Sequence, residues 1–236
     1  MGIFDFFKKN KKTEHKTNNN LKDSETAKLV DSEVETKTEN KLNTEKVTPK
    51  NHIELFPDIE SIFKENLDKN AEVFFPVCSI DLGVINKEWK NEKIHLIQFH
   101  EDPYNTETAK YFNDYCKDNM ISFSLENGKY KFNTDFGYFD LTDDWKEYYE
   151  ETKISYNKSK TEFKENGKSF NLENLIIGGE PEWWQSDETP LDPDGNPMTF
   201  ITELETYGFC PDSCDKKIFM FYSHKHKLVV ELYQIT

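Results

Sequence analysis

Ile121-Ser122-Phe123-Ser124-Leu125-Glu126-Asn127-Gly128-Lys129-Tyr130-Lys131-Phe132 alternates apolar with polar residues on both sides of an Asn-Gly pair. A period of two places one set of side chains on a single face of a strand. Asn-Gly accepts the positive φ angles of a tight two-residue turn, so the segment predicts a β-hairpin. An antiparallel hairpin among helices assigns the chain to the α+β class, an antiparallel or mixed sheet with several helices.

Downstream, Asp143–Glu165 predicts a long, strongly charged helix that stops before Gly167. Its Trp145, Tyr148 and Tyr149 form a stripe that reads as packing. Leu175–Ile177 leads into Gly178-Gly179, and an irregular acidic, aromatic loop continues to Pro197. Met198–Leu204, Ile218–Tyr222 and Leu228–Tyr233 predict an antiparallel meander, with His224-Lys225-His226 at a hairpin tip. Upstream, Asp58–Lys69 predicts a helix from the spacing of Ile59, Ile62, Phe63 and Leu67 behind Pro57. Val73–Ile80 and Lys93–Phe99 predict strands, and Thr106–Asn119 a second helix.

Order is expected from about residue 51 to the end. Residues 1–50 read as a tail, because from residue 10 onward Lys, Thr, Asn, Glu, Asp and Ser leave too little apolar area to offset ordering. Its first element, Met1–Lys12, sets Ile3, Phe4, Phe6 and Phe7 before clustered lysines, a pattern suited to weak contact with an anionic membrane surface. Positive charge does not precede the apolar residues as in a secretory signal, so a cytoplasmic location is expected.

The chain carries 30 basic and 45 acidic residues, and every basic residue is lysine. Residues 1–50 hold 11 lysines against 9 acids, which leaves 19 and 36 in the remainder, a net of −17. So negative a body repels phosphate backbones, which argues against nucleic-acid binding, and steers basic proteins towards it. The absence of arginine removes the side chain best shaped to grip phosphate in two places.

Four sets of residues invite chemistry. Cys210 and Cys214 with His224 and His226 offer a zinc set, although the C-x3-C and H-x-H spacings are not characteristic of one. Asp192-Pro193-Asp194-Gly195-Asn196 with Glu203 imitates a calcium loop, but Pro197 occupies the position that demands glycine, so it reads as a turn. Nothing in the sequence joins Cys78 or Cys116 to His95 or His100. Gly178-Gly179-Glu180-Pro181 with Trp183, Trp184 and Gln185 suits either a small pocket or a loop that plugs the core with an indole. No phosphate loop, dinucleotide fingerprint, nucleophile elbow or H-E-x-x-H motif occurs, and no cofactor is expected.

The run Gly178-Gly179-Glu180-Pro181-Glu182-Trp183-Trp184-Gln185, then Asp187-Glu188-Thr189-Pro190 and Gly195-Asn196-Pro197-Met198-Thr199-Phe200-Ile201, resembles the signature of the YwqG-like domain family. Ile218-Phe219-Met220-Phe221-Tyr222, Val229-Val230 and Gln234 extend the resemblance over about residues 175–236. The chain has Leu191-Asp192-Pro193-Asp194 where members often carry a cysteine pair, so no metal role transfers. The resemblance implies a bacterial, cytoplasmic α+β domain with no assigned reaction, among relatives that include immunity-type proteins. The leading expectation is a non-catalytic module that binds a basic protein, possessing an acidic, aromatic surface at Glu180, Trp183, Trp184, Gln185, Asp187 and Glu188. The alternatives are a small-ligand sensor or enzyme with a pocket at Gly178–Gln185, and a membrane-surface scaffold held by Met1–Lys12.

Overall fold

In a computed structural model, the Asn-Gly segment forms the hairpin, with strands Met120–Glu126 and Lys129–Phe132 joined through Asn127 at φ 53° and Gly128 at φ 76°. The structure describes residues 52–167, 174–206 and 215–235. The tail, its Met1–Lys12 element, and Cys210 and Cys214 lie outside the described residues.

Nine strands occur among the described residues. β1 (Ile53–Leu55), β2 (Phe74–Asp81) and β3 (Lys93–Phe99) form an antiparallel sheet in that order. β4 (Met120–Glu126), β5 (Lys129–Phe132), β6 (Leu175–Ile177), β7 (Thr199–Glu205), β8 (Lys216–Ser223) and β9 (Leu228–Ile235) form a second, in the order β5-β4-β9-β8-β7-β6. Every pairing between strands is antiparallel, and β7-β8-β9 is the expected meander. With three α-helices beside these sheets, the fold is α+β.

Both faces of the larger sheet are buried. Ile218, Met220, Tyr222, Val229 and Tyr233 point into the main core shared with the smaller sheet. Phe219, Phe221, Val230 and Leu232 form a second core on the opposite, outer face.

β3 is an edge strand, and an unpaired edge buried in a core must find partners for its backbone groups. Side chains of the larger sheet supply them. The Tyr130 hydroxyl accepts from the His95 N–H at 2.7 Å and donates to the His95 carbonyl at 2.8 Å. The Glu231 carboxyl accepts from the Ile97 N–H at 3.1 and 3.2 Å, and the Lys216 ammonium donates to the Phe99 carbonyl. Three buried polar side chains therefore have structural work in joining the two sheets.

The long helix is α3 (Asp143–Asn166), which starts after Thr142 and is ended by Gly167 at φ 63°. It covers the smaller sheet through Tyr149 and Tyr156 against Phe75, and Phe163 against Phe56. Two expected helices are corrected. Asp58–Lys69 breaks into α1 (Ile59–Ile62) and α2 (Leu67–Val73). Phe63 turns extended to stack on Phe74 at 5.3 Å, and the Lys64 N–H bonds the Tyr130 carbonyl. Thr106–Asn119 is helical only as a 3-10 turn over Thr106–Tyr111. Beyond it, the Asn113 side chain captures the N–H groups of Tyr115 and Cys116, competing with the helix for those donors.

Candidate functional site

The segment from Gly178 to Pro190 crosses the outer face of the larger sheet. Gly178 and Gly179 adopt φ 69° and 83°, left-handed values that suit glycine. Trp183 then lies on Phe219 and Phe221, with ring centroids 4.5 and 5.8 Å away. Below it, Lys217 and Glu203 form a buried pair, side chains 4% and 1% exposed, with Nζ 3.1 Å from Oε1. Lys217 also donates to the Glu182 carbonyl at 3.0 Å, and Glu203 accepts from the Glu182 N–H at 2.7 Å.

Gln234 completes the anchorage. Its carbonyl accepts from the N–H groups of Trp184 and Gln185, and its amide donates to the Ser186 carbonyl. The sequence-expected partner residues thus have distinct fates. Trp183 packs on the second core, the Gln185 side chain donates to the Ile235 carbonyl, and Glu188 accepts from Asn119 at 2.9 Å. Asp187 holds Thr189 within its own turn, and Trp184 has the Lys217 ammonium 5.2 Å from its ring. Glu180 is exposed and borders a cleft of about 430 Å³ with Gly178, Gly179 and Pro181, floored by Met198 and Phe200.

A second open cleft of about 560 Å³ lies between the residues after β3 and the start of α3. Pro103 and Tyr104 line one side and Trp145 and Tyr148 the other, with Asn119 and Tyr233 between, and Gln234, Ile235 and the sequence-expected Gln185 complete the lining. Tyr104 is 82% exposed and Tyr148 45%, unusual for rings of this size. Tyr104 and Trp145 stand 6.3 Å apart, and Trp145 and Tyr148 5.8 Å, forming a continuous fan. Buried Asp102 ties the walls together: one carboxylate oxygen accepts from the Tyr104 N–H, the other from the Thr142 N–H and hydroxyl. Beside the cleft, residues 143–151 at the start of α3 carry Asp143, Asp144, Glu147, Glu150 and Glu151 against Lys146.

Behind the floor of this cleft sits a buried ionisable cluster. The Tyr233 hydroxyl donates to Glu101 Oε1, while Glu101 Oε2 has no hydrogen-bond partner. Lys216 lies with its ammonium 3.8 Å from the Tyr233 ring centroid and 4.9 Å from that of Phe99. Burial pushes the Glu101 carboxyl up to about 7, against the opposing pull of the Lys216 charge and the Tyr233 hydrogen bond. Burial, then Lys216, holds the His100 imidazole well below its usual value; its Nε2 bonds Thr152 on α3.

The remaining candidates are occupied by structural partners. Buried Ser79 meets buried His95 at Nδ1, 2.8 Å away, and the carbonyl of exposed Gly128 meets its Nε2 at 3.2 Å. Cys116 bonds Ser122, and burial raises both the Cys78 and Cys116 thiols. The His224 and His226 rings do not converge: His224 stacks on Trp89 and bonds Glu92, whereas His226 bonds Asp194. Asp192, Asp194 and His226 do bring ligand atoms within 4.8 Å of one another, but the Lys225 ammonium already sits 2.6 Å from Asp194. In the calcium-like segment, Asp192 accepts from the N–H groups of Asp194 and Asn196, a turn, while Glu203 is buried with Lys217.

No signal in the sequence groups Tyr104 with Trp145 and Tyr148. Trp145, Tyr148 and Tyr149 lie within five residues, yet only Tyr149 packs on Phe75, since neighbouring helical positions point in different directions. Among the described residues no helix is long and apolar enough to cross a membrane. Comparison of the chain with protein-family models, curated proteins and solved structures returns no match.

Proposed function

We propose that this domain is a non-catalytic binding module for a basic protein, and that the partner's cationic side chains lie against Tyr104, Trp145 and Tyr148. The observation that carries the reading is an open, aromatic-walled cleft next to an acidic helix start. A ring face attracts a cation by about 0.5–1 kcal/mol when exposed and about 2 when desolvated. The body's charge of −17 adds long-range steering that salt weakens. A role in neutralising a basic toxin, membership of the YwqG-like family and residence in the cytoplasm all fit this reading and rest on the sequence resemblance.

A second reading, a small-ligand pocket at Gly178–Gln185, is favoured by the cleft bordered by Gly178, Gly179, Glu180 and Asp187. A third, the membrane-surface scaffold, rests on Met1–Lys12 alone. Affinity capture from the native host, with wild type and the Y104A/W145A variant as baits, separates the three. The expected result is a basic protein retained by wild type, released by salt and absent from the variant. Recovery of the same proteins on both baits would overturn the leading reading.

A further inference from the structure

We propose that the aromatic cleft is proton-linked: a cation settling on Tyr104 and Trp145 expels a proton from Glu101, which lies behind the cleft floor. The inference rests on the binding reading above and names how that same site is regulated.

Its geometric basis is the contrast between Glu101 and the other buried charges near it. Lys216 and Glu231 satisfy backbone groups of the β3 edge. Lys217 and Glu203 hold the Glu182 backbone. The Glu101 carboxyl instead meets the Tyr233 hydroxyl and its own backbone N–H, and its second oxygen has no hydrogen-bond partner. Tyr233 in turn lines the cleft, so the residue that bonds the carboxyl also borders whatever the cleft holds.

The groups facing Glu101 are few. Lys216 from β8, the Tyr233 hydroxyl from β9 and the residue's own backbone N–H favour its ionised form, while neighbouring Asp102 opposes it. Tyr138, from the 3-10 turn over Phe136–Phe139, feels the Glu101 charge. His100, next in the chain, is held neutral by burial and by Lys216. With burial having brought the carboxyl close to half-ionised near neutral pH, one additional positive charge has leverage. A unit charge roughly 10 Å away, at an effective permittivity of about 20, moves such an equilibrium about tenfold. Linkage is reciprocal, so ionising Glu101 tightens cation binding by the same factor.

The test is calorimetry of an oligolysine peptide binding to the full chain at pH 7, in two buffers of different ionisation enthalpy. With the peptide N-acetylated, its only amines are lysine side chains, which stay charged throughout, so a buffer-dependent heat reports protons leaving the protein. Wild type should release a fraction of a proton and bind about fivefold more tightly at pH 8 than at pH 6, since Glu101 is only partly ionised at either end of that window. In E101Q the buffer dependence and the pH dependence should both vanish while binding persists. Y233F, which removes the hydroxyl but keeps the ring, should alter the proton count and so provides a check if E101Q fails to fold. Binding with no proton release by wild type, or with equal release by E101Q, would overturn the linkage and leave the binding reading standing. No binding at any pH would instead remove the binding reading.

Discussion

Replacing Lys217 by Met removes one half of the ion pair beneath the Trp183 loop and leaves Glu203 in a site where its side chain is 1% exposed. Breaking a buried pair from one side costs about 3–5 kcal/mol, because the remaining charge stays desolvated. That is a large share of the roughly 5–15 kcal/mol that holds a domain together. The cost depends on pH. Burial already raises the Glu203 carboxyl above its usual value, with Lys217 opposing the rise. Without Lys217 it rises further. A raised carboxyl favours the folded state below its ordinary value and loses that contribution as pH climbs through the folded value. The deficit of K217M should therefore be about 3–5 kcal/mol at pH 8 and below about 2 kcal/mol at pH 4.5. Urea titration at both pH values, with the slope unchanged, measures it. Adding E203L to K217M should recover part of the loss, since it removes the desolvated charge but leaves the Glu182 N–H without its acceptor. Equal losses at both pH values, or a double variant no better than K217M, would refute the reasoning.

Other outcomes follow from the same contacts. Glu101 is raised from the usual carboxyl range to about 7, so its contribution to stability is present below about 4.5 and lost as pH rises through 7; E101Q should be more stable than wild type at pH 8 by an amount on the order of 2–3 kcal/mol, read by thermal or urea unfolding. Glu231→Leu should cost about 1–3 kcal/mol by orphaning the Ile97 N–H, whereas E231Q, which keeps an acceptor, should cost less. Trp183→Ala should lose about 3 kcal/mol of stability, because its ring packs on Phe219 and Phe221, while W145A should unfold within about 0.5 kcal/mol of wild type and lose cation binding. Cys78 and Cys116 are buried with raised thiols, so alkylation at pH 8 followed by mass spectrometry should leave both unmodified until denaturant is added.

Most strands were legible because their signals are local. Ile121, Phe123 and Leu125 alternate, Asn127-Gly128 can turn, and Lys93–Phe99 needs no distant residue to explain it. The helix errors have distant causes. Phe63 leaves helical geometry to stack on Phe74, and the Lys64 N–H bonds the Tyr130 carbonyl, partners 11 and 66 residues away that no local periodicity shows. The glycine-rich loop was legible as irregular and aromatic. Its anchorage was not, because Gln234 and Lys217 come from strands far along the chain. The aromatic cleft was least legible of all. Tyr104 and Trp145 meet where Asp102 bonds the backbone at Tyr104 and at Thr142, and Asn105 bonds the Asp140 carbonyl, joining a loop to a helix start.

The chain has four tryptophans, Trp89, Trp145, Trp183 and Trp184, and so four indole N–H resonances. Titrating the isotopically labelled domain with an oligolysine peptide at low salt reads each of them separately. Cation docking on the cleft predicts that the Trp145 resonance moves with saturable dependence on peptide and returns when salt is added, while that of Trp89, stacked on His224, stays still. A Trp145 resonance unmoved at peptide concentrations that shift exposed acidic residues elsewhere would contradict the account.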